Sequence, residues 1–225
     1  MKALFASLLD LFFPTPCVVC EEALTRGERF ICTRCRHDLP FSRGNHVDVE
    51  LKFMATCPMG PVYSLFHYHR ESRYKNLVHA IKYHDNKRLA IFLGEVLGER
   101  IDGKVSAGII VPLPLHPSRE RERGFNQSAR LARGISSVLR LPVREDVVLR
   151  VRNNPSQTRL APDERAKNVA NVFAVKEPEA LAGSEILLVD DVLTTGATIG
   201  SCLKELSRVP DVRVSVACLA RAGLR

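Results

Sequence analysis

Residues 186–200, ILLVDDVLTTGATIG, constrain the fold more than any other stretch of the chain. Four consecutive apolar residues without alternation read as a strand buried on both faces, and such strands belong to parallel sheets covered by helices. Two acids stand at the carboxyl end of that strand. The residues after them, ATIGSCLKELSRV, take up helical spacing near Ala197. A strand alternates its side chains, so Asp190 and Asp191 would face opposite ways unless a bend leaving the sheet turned both toward one crevice. A bend leaving the sheet could bring both toward a ligand there.

The chemistry of the stretch follows from its order. Backbone N–H groups at a helix start are orphan donors with partial positive charge, and Gly196 permits a phosphate to approach closely. The hydroxyls of Thr194, Thr195 and Thr198 add donors beside the two carboxylates. Carboxylates suit a vicinal diol and the helix start suits a phosphate, a pairing that ribose 5-phosphate satisfies. The plain alternative, an acid capping the helix while Thr and Gly make a turn, needs only one acid.

A second constraint lies near the amino terminus. Cys17 and Cys20 form one Cys-x2-Cys turn, and Cys32 and Cys35 form another after eleven residues. Each turn points two sulfurs the same way, so the four converge on one tetrahedral zinc. The intervening EEALTRGERFI supplies a Gly turn and a strand-like RFI, as a zinc ribbon or knuckle requires. A module this short has little core of its own, and metal binding supplies most of its folding free energy. Four Cys ligands close the site, which makes the zinc structural. A redox pair lacks the surrounding βαβ pattern, and disulfides do not suit a cytoplasmic setting. Cys57, Cys202 and Cys218 have no partners at metal spacing and read as small buried residues. His37 is near enough in sequence to replace a cysteine but is not needed.

The remaining segments alternate between strand and helix. VYSLFHY, AGIIVPLP, VVLRV, NVFAV, EILLVDD and RVSVACLA read as strands, while SRYKNLVHAIKYH, KRLAIFLGEVLGERI and NQSARLARGISSVLRL read as helices, the last with Asn126 as its N-cap. The pattern predicts an α/β domain on a mainly parallel sheet flanked by helices, with ligands beyond the carboxyl ends of the strands. Three parts are expected: an amphipathic helix and four-Cys module over 1–45, a linker over 46–60 and the α/β domain over 61–225. GERIDGKV, Gly98–Val105, has phosphate-loop spacing but ends in Val and lies between a helix and a strand, the reverse of the required order. It is rejected as a nucleotide site.

Charge and termini bound the function classes. Lys+Arg 33 against Asp+Glu 25 gives +8, which favours phosphate-bearing partners, either nucleic acid or a small anion. MKALFASLLDLFF resembles a secretory signal only superficially, because Asp10 interrupts it and no small-residue cleavage site follows. It reads as a short helix with Leu4, Leu8, Leu11 and Phe12 on one side, stopped by Pro14 and Pro16. No apolar run reaches the ~18 residues of a membrane span, so a cytoplasmic protein is expected. FHYHRESRYKN interleaves aromatic and basic residues as single-stranded DNA binding would need, yet aromatics total 6% and Trp is absent.

Residues 186–198 resemble the phosphoribosyl-pyrophosphate (PRPP) motif of type I phosphoribosyltransferases. VPLPLHPSRERERGFNQSARLAR, the pattern Gln157-x2-Leu160-x4-Arg165-x2-Asn168-x4-Phe173 and the four-Cys module together resemble the ComF/GntX family over nearly the whole chain. Its members are associated with competence for DNA uptake or the use of extracellular DNA. The resemblance implies a type I phosphoribosyltransferase-like fold. It implies Thr194, Thr195, Gly196, Ala197 and Thr198 for the 5-phosphate and Asp190 and Asp191 for the ribose diol, with Mg2+ bridging diol and pyrophosphate. HPSRERERGFN stands where the family has its pyrophosphate loop, which implies Arg119 and Arg123 as phosphate contacts in preference to Arg121. RNNPSQTRLAPDERAKNVAN corresponds to the loop that closes over substrate, with Arg165 and Lys167 stabilising departing pyrophosphate and Gln157 and Asn168 ordering the closed form. The ligand side names PRPP, and the acceptor is unspecified. Three functions stay open: an active phosphoribosyltransferase, a binding regulator without turnover, and a single-stranded-DNA or DNA-uptake factor.

Overall fold

The computed structural model describes residues 14–69, 71–83, 86–152 and 172–222. A four-stranded parallel sheet forms the centre, made of β1 (Met59–Tyr68), β2 (Ile109–Pro112), β5 (Glu185–Leu193) and β6 (Arg213–Ala222) in the order β1-β6-β5-β2. Ile186 pairs with Val214 on one side and Ile109 on the other, so ILLV is central and buried, as its unbroken apolar run requires.

Alternation along β5 feeds two cores. Leu187 and Val189 join the cluster under α3 (Lys75–Tyr83), α4 (Lys87–Ile101) and α6 (Gln127–Leu139), while Ile186 and Leu188 join the cluster under α7 (Ala197–Leu206). The crossing of α4 over α6 is close enough to demand glycine. A Cβ on Gly94 would lie 2.2 Å from the Leu131 carbonyl oxygen, and one on Gly134 would lie 2.1 Å from that of Ile91. The Asn126 cap expected from sequence is present, its side chain accepting from Ser128 N at 3.0 Å.

Three segments differ from the sequence reading. VVLRV and NVFAV supply β3 (Val148–Arg150) and β4 (Phe173–Val175), which pair antiparallel as a separate two-stranded sheet and do not extend the parallel one. HPSRERERGFN is no open loop: Pro117–Arg123 forms α5, capped by His116, started by Pro117 and ended by Gly124 at φ 77°. The linker region contains α2 (Val47–Met54), whose Phe53 is buried while Val47, Leu51 and Met54 are exposed.

The amino-terminal module, which includes α1 (Thr33–His37), shares its core with the domain. Cys17, Val19, Ile31 and Leu39 belong to the same cluster as Leu65, Phe66 and Leu93. Phe41 bridges Phe66, Phe30 stacks against Phe92 at 5.6 Å, and the Tyr74 hydroxyl donates to Cys35 O at 3.2 Å. No helix among the described residues is long and apolar enough to cross a membrane.

Candidate functional site

The four sulfurs of Cys17, Cys20, Cys32 and Cys35 lie within 4.8 Å of one another. A tetrahedral zinc with Zn–S near 2.3 Å sets its sulfurs about 3.8 Å apart, and Cys20 and Cys32 stand at 3.8 Å. Backbone N–H groups point at the cluster: Val19 N and Cys32 N donate to Cys17 Sγ at 3.5 and 3.3 Å, and Cys35 N donates to Cys32 Sγ at 3.4 Å. Burial opposes ionisation of Cys17, but N–H donors from Cys32, Cys20 and Val19 outweigh it and bring that thiol to about 7. The residues therefore fit a closed structural zinc site. His37 is exposed and turns to Asp38, 3.1 Å away, outside the cluster. Glu28 organises the module, accepting from Thr25 N and Thr33 N, and these bonds hold its carboxyl down at about 2.

At the carboxyl edge of the sheet, β5 stays paired with β6 through Leu193, opposite Arg221. The strand does not leave the sheet at the acids: Val192 and Leu193 still carry pairing beyond them. Asp190 and Asp191 consequently take different partners. Asp190 Oδ1 accepts from Ser128 Oγ of α6 at 3.3 Å and from Asp191 N at 2.9 Å. Asp191 forms an ion pair of 2.9 Å with Lys82 of α3, both side chains largely buried. Burial, and then the charge of Asp191, push the Asp190 carboxyl up to about 7. The two acids stand side by side in chemically unlike states.

Thr194 and Thr195 are exposed and lead into Gly196, which caps α7 at φ 76°. A side chain at Gly196 would meet both the left-handed backbone and the ring of Phe53, 2.7 Å from an added Cβ. The same ring would lie 2.8 Å from a Cβ on Gly200. Lys52, next to Phe53 on α2, donates to the Thr195 carbonyl. The loop is thus seated on a helix from the linker region, a contact that the helix periodicity of 47–54 does not reveal. That helix is itself anchored: Asp48 pairs with Arg221, His46 Nδ1 lies 2.8 Å from Arg221 Nη1, and His46 Nε2 lies 2.7 Å from Ser64 Oγ.

Arg119 and Arg123 are four residues apart on α5, so they share a face and are half-buried, whereas Arg121 is exposed. Arg123 donates to Gln127 Oε1 at 3.1 Å. Helical phase thus separates the two arginines favoured from sequence from the third. Gln157, Arg165, Lys167 and Asn168 lie outside the described residues, as does the amino-terminal amphipathic segment. Cys57, Cys202 and Cys218 are buried, and burial pushes the Cys57 thiol up to about 11. Three further residues at this edge were not singled out by sequence: Lys82, Ser128 and Lys52. Each reaches the site through tertiary packing.

Residues 8–47 match the model of the double zinc ribbon domain family, and this stretch of the chain contains one four-cysteine set. The DNA utilization protein YhgH of Escherichia coli K12 is 29% identical over 91% of this chain and 89% of its own length. Competence protein F of Haemophilus influenzae is 36% identical over 50% of each chain. Among solved structures, the allosteric regulatory enzyme of purine biosynthesis overlaps 62% of this chain and 30% of its own, with 15% identity and a TM-score of 0.42. The zinc-ribbon match at the amino terminus and the similarity to DNA utilization and competence proteins support the resemblance to the ComF family that the sequence motifs carry.

Proposed function

We propose that the carboxyl edge of the sheet binds PRPP or a closely related phosphoribosyl ligand, and that the protein serves DNA uptake or nucleotide salvage in the cytoplasm. One observation carries the reading: two carboxylates lie near the carboxyl end of a central strand that runs on through exposed threonines into a glycine-started helix. Asp190 and Asp191 would accept from the ribose hydroxyls, and Thr194, Thr195, Gly196, Ala197 and Thr198 would surround the 5-phosphate. Arg119 and Arg123 would take the pyrophosphate. Mg2+ suits this donor set only as an ion held mostly by substrate oxygens and water, since Asp191 already faces Lys82 and the half-buried Asp190 already accepts from Ser128 Oγ and Asp191 N. When bound, it would neutralise pyrophosphate charge.

In the transfer reaction an acceptor nucleophile forms a bond to C1 of the ribose as the C1–O bond to pyrophosphate breaks, and pyrophosphate leaves with that electron pair. The protein needs no nucleophilic side chain for this. It contributes positioning, cationic stabilisation of the leaving group and exclusion of water. Arg165 and Lys167 are the proposed catalytic cations. The names of the relatives, a DNA utilization protein and a competence protein, support the biological setting.

The test is titration of the zinc-loaded protein with PRPP and Mg2+, followed by a pyrophosphate-release screen across bases and amines. Saturable binding that the Asp190→Asn/Asp191→Asn double variant loses supports the site, and equal binding by both proteins overturns it. Binding without release over the whole panel would identify a regulator. A salt-dependent affinity for single-stranded DNA that survives the double variant would instead favour direct DNA handling, in line with the +8 charge.

A further inference from the structure

We infer that Arg150 is a third anion-binding arginine of this edge, one that selects a diphosphate over a single phosphate. The inference rests on the phosphoribosyl reading only for naming the diphosphate as pyrophosphate.

The first observation is a buried donor without an acceptor. Arg150 closes β3, paired with Phe173, and its guanidinium lies 5.5 Å from the centre of that ring. Its Nε is fully buried and has no hydrogen-bond partner, alone among the buried side-chain nitrogens and oxygens of the described residues. A buried N–H of a cation forfeits its hydration and is normally paired, so an orphan calls for a partner that comes and goes. Nothing among the described residues supplies one.

The second observation is the company Arg150 keeps. Burial depresses its basicity, Arg119 and Arg123 depress it further, and Asp190 alone opposes them. Arg119 and Arg123, which share a face of α5, thus both lie within electrostatic reach of Arg150. Asp190 is the one carboxylate that offsets this charge at Arg150, and it is itself pushed toward the neutral form. Such a cluster has at least two positive charges in excess, which a single phosphate does not span and a diphosphate does. The planar fork of arginine suits bidentate phosphate contact, and a strand holds it more rigidly than a loop. Arg119 and Arg123 come from α5, whereas Arg150 comes from a different sheet, so the three approach an anion from different elements.

The experiment is calorimetric titration of the full zinc-loaded chain with inorganic pyrophosphate, orthophosphate and ribose 5-phosphate, comparing the wild type with Arg150→Met and Arg150→Lys. Arg150→Met is expected to weaken pyrophosphate roughly ten- to a hundredfold while leaving ribose 5-phosphate unchanged. It should melt no lower than the wild type without ligand, because the orphan N–H is gone and the apolar stem remains. A merely structural arginine predicts the opposite, a lower melting temperature with pyrophosphate affinity intact, and that result overturns the inference. Equal losses for pyrophosphate and ribose 5-phosphate overturn it too. If Arg150→Met does not fold, Arg150→Lys decides, since it keeps the charge and loses the fork: weakened pyrophosphate supports the inference, and wild-type affinity sinks it. A wild type that binds pyrophosphate through Arg150 but neither ribose 5-phosphate nor PRPP refutes the phosphoribosyl reading and leaves this one standing. A wild type that binds no pyrophosphate removes it.

Discussion

The zinc module and the carboxyl edge of the sheet both crowd groups that repel when ionised, and they resolve the crowding in opposite ways. In the module four sulfurs converge at distances that suit one dication, and backbone N–H groups already point at them. Its four ligands close the coordination sphere. At the edge two carboxylates adjoin, one held by Lys82 and the other pushed up to about 7 by burial, with an unsatisfied arginine close by. Four thiols suit a resident ion. On the proposed reading, an edge with a half-neutralised acid and an orphan donor suits a ligand that exchanges.

The largest effect that can break this comparison is removal of zinc. The module has few apolar residues of its own, so chelation is expected to cost on the order of 10 kcal/mol of its folding free energy. Amide exchange should rise across residues 14–46 first, with metal content measured in parallel. Because Cys17, Val19 and Ile31 share a cluster with Leu65 and Phe66, protection of β1 should fall next. A Cys17→Ser/Cys35→Ser chain that stays fully folded without zinc would reduce the module to ordinary packing.

Next in size is Phe53→Ala, which empties the space between α2 and the turn at Gly196. A buried Phe truncated in this way costs about 3 kcal/mol. If the phosphate loop depends on α2, the affinity for ribose 5-phosphate falls along with stability. If the loop stands alone, only the melting temperature moves. Denaturant unfolding combined with titration separates the two.

What sequence revealed here was local. ILLV read as a central strand because nothing interrupts its apolar run, the α7 start followed from Gly196, and the cysteine spacing fixed the module. What sequence hid was which distant element touches each of these. α2 escaped notice because it is only eight residues long and its apolar stripe, Val47, Leu51 and Met54, faces outward, while Phe53 off that stripe makes the inward contact. Whether the strand leaves the sheet at Asp190 was not legible either, because pairing with β6 continues through Leu193, information that resides in the other strand. Lys82 and Ser128 are unremarkable in their own helices and matter only because α3 and α6 end over the same edge. Arg150 sits in VVLRV like any half-buried strand residue, and only an atom-level account of hydrogen bonding distinguishes it.

Asp190→Asn sharpens the edge half of the comparison. Losing a charge-assisted bond to a ribose hydroxyl should weaken ribose 5-phosphate or PRPP about a hundredfold. Stability should respond in the other direction. The folded-state pKa of Asp190 is raised from 3.8 to about 7, so between those values the folded protein binds more protons than the unfolded one. Stability from this group is therefore full below about pH 4 and is lost as pH rises toward 7. The Asn variant lacks that slope and should melt higher than the wild type at pH 8. Thermal melts across pH 4–8, run without ligand, read the difference directly.

The smallest effect concerns the anchor of α2. His46 is buried at the module end of that helix, next to Arg221, His67, Asp48 and Glu50, and burial followed by Arg221 and His67 lowers its pKa from 6.5 to about 4. Arg221 is always a donor, so His46 accepts at Nδ1 and donates from Nε2 to Ser64, which fixes the neutral tautomer. Between pH 6.5 and 4 the unfolded chain binds the extra proton, so stability contributed by neutral His46 declines as pH falls through that window. Asp190 contributes a slope of opposite sign over much of the same range, and in the wild type the two partly cancel. The measurement therefore belongs in the Asp190→Asn background, where melting temperature should fall from pH 6.5 to 4 and where adding His46→Asn should flatten the fall. If the slope persists after His46 is replaced, the anchor of α2 is not a titrating one, and the turn at Gly196 is held through the Phe53 and Lys52 contacts without it.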